Sequence, residues 1–469
     1  MANNCKIFTP ESYVTELLDA VGYEKDLMGK SVLENSCGDG KILVEVVRRY
    51  IRDSLCHNKS LCEIRRGLES DICGVELEQE HVNECKSNLD REAEKFGIRE
   101  VKWNIICQDY LRSRLNRSFS FIIGNPPYIV YRDIEKEDRD YLKQTFQSCR
   151  NGKFDYYYAF IEKSIQDLKE NGKFAYIVPA SIYKNVFAEL LREQIKSYLY
   201  EIRDYTIQNK FPGTTISSTI LMLKKQQSTD FLYIDMDKKE KIYIEKRSLG
   251  GKWIFSDEKI RKKNYRFGDW FYVSNTIATL CNDAFLLENY VRRDGYYILS
   301  DDDWIEEEIV RPALSRKRRT ECAIIFPYYY VNGTVIHYDV GEFSELFPFA
   351  CKHLKKYRDR LMKRAADSKV EWFEYGRGQA LQKMQYRKAV IPSVLTSHIQ
   401  VVIVDEEVIP CAGFIITERG DERSLEDAKT ILESQEFYNY LKQIGIFTTG
   451  KSRRLTVKDI ANYTFDNWG

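Results

Sequence analysis

The spacing of apolar and polar positions along the first half of the chain predicts alternating helices and strands. Tyr13, Val14, Leu17, Leu18 and Val21 recur at helical spacing, with Thr9 placed to cap the helix and Pro10 to open its first turn. Residues 31–33 read as a short strand. It runs into Glu34-Asn35-Ser36-Cys37-Gly38-Asp39-Gly40, and Ile42, Leu43, Val46 and Val47 begin a helix behind that loop. Strand, glycine-bearing loop and helix form the first unit of a nucleotide-type fold, because glycines let the backbone turn tightly and approach a ligand. The polar stretch 52–70 reads as an extended helix and loop. A second strand over 72–75 ends at Glu76, and a third over 101–107 leads to Asp109.

A fourth apolar run, Phe121-Ile122-Ile123-Gly124, stops in Asn125-Pro126-Pro127-Tyr128, since two prolines cannot continue a strand. Ile161, Ile165 and Leu168 predict a helix, which Asn171-Gly172-Lys173 ends. Residues 174–178 then form a fifth strand finishing at Pro179. Residues 205–207 and 218–223 make a strand pair, with Phe211-Pro212-Gly213 between them. Beyond 225 the pattern becomes irregular, and the polar stretch 238–252 with Gly250-Gly251 marks a boundary. The expected domains are 1–245 and 246–469. In the second, residues 352–364 alternate charges and predict a solvent-facing helix.

A chain of 469 residues has room for two or three full cores. Its net charge is +1, from 72 basic and 71 acidic side chains, so any DNA-binding face must come from local clustering. No run approaches the roughly 20 apolar residues of a membrane span. The first residues lack the pattern of a signal peptide. Twelve cysteines without a disulfide rhythm then point to reduced thiols and a cytoplasmic location. Cys56, His57, Cys62 and Cys73 lack a paired Cys-x-x-Cys spacing, so no metal is expected. None of the five histidines sits in a nucleophile or metallopeptidase motif, which disfavours a histidine-based hydrolase.

The candidate chemistry lies at the strand ends, where open α/β sheets place it. Pro126 and Pro127 lose their N–H donors and keep their carbonyls. Asn125 adds a side-chain acceptor, and Tyr128 adds a flat aromatic face. Such a pocket suits a planar ring bearing an exocyclic amine. Two acceptors on the amine hydrogens favour a pyramidal nitrogen whose lone pair can attack. Glu76 is placed to bond a ribose diol, although the usual separation from the glycine loop is about 20 residues and is longer here. Asp109 is placed to accept from an adenine amine.

Taken together, these residues resemble the gamma class of DNA adenine amino-methyltransferases, the TaqI-like family of restriction-modification systems. The resemblance covers the first half well and the second half loosely. It implies a Rossmann-like domain with a mixed, mostly parallel seven-stranded sheet, followed by an α+β target-recognition domain. The implied cofactor is S-adenosylmethionine, with Thr9, Glu34, Cys37, Gly38 and Gly40 around its methionine end, Glu76 on the ribose and Asp109 on the adenine. Asn125 and the Pro126 carbonyl would grip the target amine, with Pro127 and Tyr128 completing the catalytic set. Tyr128 and Phe211 would stack on the flipped base, and Lys153 and Phe154 would border the pocket. Asn35, Ser36 and Asp39 depart from the family's common Asp/Glu-Pro-Ala-Cys-Gly-Ser-Gly loop.

The implied partner is double-stranded DNA, methylated on adenine N6 by a monomer, with a separate restriction endonuclease as a possible companion. A cofactor fold starting at the first residues and the lack of any Pro-Asp dipeptide argue against a fused nuclease. Arg316, Lys317, Arg318, Arg319, Lys451, Arg453 and Arg454 are the expected phosphate contacts. Trp372, Tyr375 and Arg377 lie where an approach to DNA is conceivable, with Trp372 and Phe373 favoured as core. A methyltransferase for RNA or a protein glutamine and a non-catalytic DNA-binding module are the alternatives.

Overall fold

Nine strands form one sheet in a computed structural model that describes residues 11–205, 217–255, 264–315, 322–368, 370–395, 399–447 and 452–466. They are β1 (Val32–Glu34), β2 (Ile72–Glu76), β3 (Asn104–Cys107), β4 (Phe119–Gly124), β5 (Leu168–Pro179), β6 (Leu199–Tyr205), β7 (Ser218–Lys224), β8 (Asp230–Asp235) and β9 (Glu240–Glu245). Their order is β3-β2-β1-β4-β5-β7-β6-β8-β9. The first five strands pair in parallel, and β7 runs antiparallel to both β5 and β6. The β8–β9 hairpin extends the expected seven-stranded sheet. Its edge strand carries Glu240, Lys241 and Glu245, charges that discourage pairing with another chain.

Central strands covered on both faces read as continuous apolar runs. Because side chains alternate across a strand, Val32, Ile123 and Ile177 enter one core, while Leu33, Ile122 and Val178 enter the other. The first core is closed by α1 (Glu11–Val21), α2 (Lys41–Cys56) and α4 (Gln79–Glu94) through Leu17, Val46 and Leu89. The second is closed by α5 (Lys136–Thr145), α6 (Tyr157–Asp167) and α7 (Glu189–Lys196) through Leu142, Tyr158, Ile161 and Leu191. The strand order reverses at β1, which has β2 on one side and β4 on the other. The carboxyl ends of β1 and β4 therefore flank the crevice where such sheets bind ligands.

Several boundaries differ from the sequence expectation. The strand β3 is shorter than the expected 101–107. The strand β6 ends at Tyr205, the first residue of the strand expected over 205–207, and 206–207 lie outside the described residues. The stretch 52–70 holds two helices. Ser60 ends the link after α2 and starts α3 (Leu61–Asp71) with a capping box: its hydroxyl accepts from the Glu63 amide at 3.3 Å, and the Glu63 carboxylate accepts from the Ser60 amide at 2.9 Å. The fifth strand starts at Leu168, six residues before the expected start, because Leu168 pairs with Phe119 and is buried there. Asn171, at φ 60°, takes up the register shift between Phe119 and Phe121, so Asn-Gly marks an irregularity within the ladder and α6 ends earlier, at Asp167.

The chain divides into two compact units, Met1–Ile260 and Arg261–Gly469. The second is α+β. One antiparallel sheet has the order Phe271–Asn275, Phe414–Glu418, Lys388–Ile391, Val402–Val404. Its core contains Phe343 stacked on Phe373, with centroids 4.2 Å apart and planes 4° apart. The expected solvent-facing helix over 352–364 is two short helices, Pro348–Lys355 and Arg358–Lys363, and it is partly core. His353, Leu354 and Leu361 are buried, and His353 bonds the Asp303 carboxylate at 2.9 Å. Among the described residues no helix is long and apolar enough to cross a membrane.

Candidate active site

The glycine loop leaves β1 with Gly38 at φ 51° and Gly40 at φ 82°, conformations that L side chains avoid. A Cβ on Gly40 would also lie 2.5 Å from the Cys85 sulfur, so this glycine lets the loop sit directly on α4. No described residue other than its chain neighbours lies within 4 Å of a Cβ built on Gly38. Cys37 is buried with its thiol toward Cys85 and offers the loop its backbone. Glu34 is buried too. Burial above all raises its carboxyl well above the usual range, and its Oε2 has no hydrogen-bond partner among the described residues.

Glu76 ends β2 and reaches across to this loop. Its Oε2 accepts from the Gly38 amide at 2.9 Å, while Oε1 accepts from Leu77 and Glu78 at 2.8 and 3.1 Å. Those three bonds fix the carboxylate and leave lone pairs for a diol. Asp109 is held at the next strand end by the Leu111 amide, at 2.9 Å, and by Arg112, at 3.3 Å. A left-handed glycine turn, a buried carboxyl oxygen unpartnered among the described residues and two oriented acids match the donor and acceptor needs of S-adenosylmethionine. Glu34, Gly38 and Gly40 would hold its amino-acid end, Glu76 its ribose and Asp109 its base.

Asn125-Pro126-Pro127-Tyr128 follows β4 on the other side of the crevice. Pro126 is buried, while Asn125, Pro127 and Tyr128 are partly exposed. The Tyr128 hydroxyl lies 2.5 Å from Asn125 Oδ1 and 2.7 Å from the Ile177 carbonyl, one proton between two acceptors. Burial raises that hydroxyl far above its ordinary pKa, so it stays a donor. Edge-on contact with Tyr157, at 6.0 Å and 84°, steadies the ring. Phe154 is buried against Tyr131, whereas Lys153 is exposed. Behind them, burial pushes the Asp155 carboxyl up to about 6, opposed by the Tyr158 hydroxyl.

Two of the three residues that depart from the common loop, Asn35 and Ser36, tie it to β5 and to the end of β4. Ser36 donates its hydroxyl to the Asn125 main-chain carbonyl at 3.3 Å. Asn35 is buried, accepts from the Tyr176 hydroxyl at 2.5 Å and donates to Ser164 at 3.0 Å. Ser164 and Tyr176 meet at 2.9 Å. Tyr110 and Lys163 both donate to Asp167, at 2.8 and 3.0 Å, alongside this cluster. Gly124 makes room for it, since a Cβ there would lie 3.3 Å from the Tyr176 ring and 3.7 Å from Asn35 Oδ1. Sequence reasoning missed Tyr176 and Ser164. The only signal for them was that a polar residue, Asn35, stands where the family has proline.

Thr9, Phe211, Arg316, Lys317, Arg318, Arg319 and Lys451 lie outside the described residues. Arg453 and Arg454 form a two-residue strand paired with Val394–Leu395 and Ile446–Phe447. Arg454 is exposed, whereas burial lowers the pKa of the half-buried Arg453. Tyr375 cannot approach DNA: it is fully buried, and its hydroxyl donates to the Ile325 carbonyl at 2.7 Å. Phe373 is core, Trp372 is partly buried and Arg377 is exposed.

Residues 49–211 match the model of the Eco57I restriction-modification methylase family. The chain is 24% identical over 330 residues to the Type II restriction enzyme and methyltransferase RM.Eco57I of Escherichia coli, which covers 60% of this chain and 33% of that protein. It is 23% identical over 389 residues to the Type II methyltransferase M.HincII of Haemophilus influenzae, covering 77% of this chain and 76% of that one. The solved structure of the Type IIL restriction-modification enzyme MmeI in complex with DNA shares the fold, with a TM-score of 0.66 and 14% identity. That match covers 97% of this chain and 67% of MmeI. The chain thus spans a third of the length of RM.Eco57I. The likeness to restriction-modification methylases seen in the sequence is borne out, and so is the α/β fold, and the methylase likeness implies S-adenosylmethionine as cofactor.

Proposed function

We propose, for a chain whose residues 49–211 match restriction-modification methylases, that it methylates DNA at the exocyclic N6 of an adenine flipped out of the duplex. The observation that carries this reading is Asn125-Pro126-Pro127-Tyr128 at the carboxyl end of β4, tied by Ser36 to the glycine loop. S-adenosylmethionine supplies an electrophilic methyl group when bound. Asn125 Oδ1 and the Pro126 carbonyl accept the two amine hydrogens, which frees the nitrogen lone pair for in-line attack. Holding nucleophile and methyl in line supplies much of the acceleration. The methylated cationic amine is acidic, so its proton leaves without a dedicated base.

Extruding a base costs a few kcal/mol. Stacking on Tyr128, joined by Phe211, offsets this by roughly 1–3 kcal/mol per contact. The second unit supplies target recognition, and one copy of the chain suffices for an asymmetric site. A separate endonuclease would complete a restriction-modification pair.

The same acceptors would hold the N4 amine of cytosine, so the test must separate the two products. Incubation with methyl-labelled S-adenosylmethionine and duplex DNA, RNA or protein, followed by hydrolysis and mass spectrometry, does so. Label in N6-methyladenine from DNA supports the proposal. Label in N4-methylcytosine, RNA or glutamine replaces it with the corresponding reading.

A further inference from the structure

One cluster of the second unit lies outside every residue assigned above. Tyr272, on the strand Phe271–Asn275, is 43% exposed. The Arg419 guanidinium lies 4.4 Å from its ring centroid and Lys383 Nζ lies 4.8 Å from it. Three segments bring these groups together. Arg419 follows the strand Phe414–Glu418, in which Thr417 pairs with Tyr272, and Lys383 ends a short turn before Lys388–Ile391. The Arg419 amide donates to the Trp270 carbonyl at 3.0 Å, and Arg423 lies over the Trp270 ring at 5.0 Å, so cations and aromatics continue in a row.

Neither Lys383 nor Arg419 is paired with a carboxylate among the described residues, and several acids close to Arg419 in sequence are engaged elsewhere. Glu418 accepts from the Leu425 amide at 2.9 Å, Glu426 pairs with Arg387 at 2.8 Å, and Asp427 accepts from the Ser424 amide at 2.9 Å. Burial, and after it the charge of Arg419, lowers the pKa of Lys383, with no acid opposing either effect. Although Asp421 and Glu422 follow Arg419 in sequence, no carboxylate of the described residues forms an ion pair with either cation, so two like charges are held against one exposed phenol in a chain whose net charge is only +1. A guanidinium, an ammonium and a phenolic hydroxyl are all donors to phosphate oxygens.

We propose that Tyr272, Lys383 and Arg419 form a phosphate site for the backbone of duplex DNA. The site rests on the reading of this chain as a DNA methyltransferase and adds a sequence-independent contact to it. Backbone contacts of this kind set register and contribute affinity without reading bases.

The test is the salt dependence of binding by the full chain to a fluorescein-labelled duplex of mixed sequence, which needs no knowledge of the recognition site. Each lost phosphate contact lowers the slope of log affinity against log salt by roughly 1. The Lys383→Gln/Arg419→Gln variant is expected to lose about 2 from that slope, and Lys383→Arg/Arg419→Lys to keep it. S-adenosylmethionine binding, read in the same samples, should be equal in all three proteins. An unchanged slope in the glutamine variant, with wild-type chain binding the duplex, overturns the phosphate site alone. A wild-type chain that binds no duplex overturns both the site and the proposed function.

Discussion

The Ser36 hydroxyl donates to the main-chain carbonyl of Asn125 at 3.3 Å, joining the cofactor loop to the residue that would grip the target amine. Losing such a bond costs about 0.5–1.5 kcal/mol, or roughly two- to tenfold in rate if it acts at the transition state. Ser36→Ala should lower kcat by that factor and leave the Kd for S-adenosylmethionine near its wild-type value. Ser36→Thr should restore kcat. Single-turnover methylation beside calorimetric cofactor binding separates the two effects.

Asn35→Pro restores the family's loop residue and is expected to weaken this protein. The Tyr176 hydroxyl and Ser164 would each lose a buried partner. A stranded buried polar group costs about 1–3 kcal/mol. Denaturant unfolding should show a midpoint shift of that size. Adding Tyr176→Phe should recover part of it, because one stranded hydroxyl is then removed.

Tyr128 carries two separable roles. Tyr128→Phe keeps the ring and loses the hydroxyl shared by Asn125 and Ile177. It should lower kcat about tenfold or less through a looser Asn125, with base extrusion intact. Tyr128→Ala removes the stacking face as well, worth roughly 1–3 kcal/mol. It should also reduce the fluorescence gain of a 2-aminopurine placed at the target position.

Asp155 gives a pH-dependent prediction. Its folded pKa, about 6, lies above the ordinary value of 3.8, so the folded chain holds more protons than the unfolded chain between those values. Its contribution to stability therefore falls as pH rises through that window and is constant above it. Asp155→Asn should stabilise the protein above the window by about 1–2 kcal/mol, discounted for partial exposure, and change little below it. Thermal unfolding on both sides of the window checks the sign.

The strand ends were legible because their signals are local. Prolines after Gly124 stop β4, and Glu76 and Asp109 stand at the ends of apolar runs. What stayed hidden depends on partners distant in sequence. Asn171 reads as a helix stop until Leu168 is seen paired with Phe119. Ser60 reads as loop until Glu63 closes its capping box. Tyr375 reads as a surface aromatic until the Ile325 carbonyl accepts its hydroxyl in the second unit's core. Asn35 reads as a departure from a motif until Tyr176 and Ser164, more than a hundred residues away, are found around it. Lys383 and Arg419 are unremarkable in sequence because only the sheet brings both to Tyr272.

The most direct test of the central claim is sequencing of DNA from cells that express the chain, by a method that detects N6-methyladenine, beside cells expressing Asn125→Ala. The account predicts methylated adenine in one short motif with wild-type protein and none with the variant. Unmodified adenine in the wild-type sample, from a folded protein that binds S-adenosylmethionine, would contradict it.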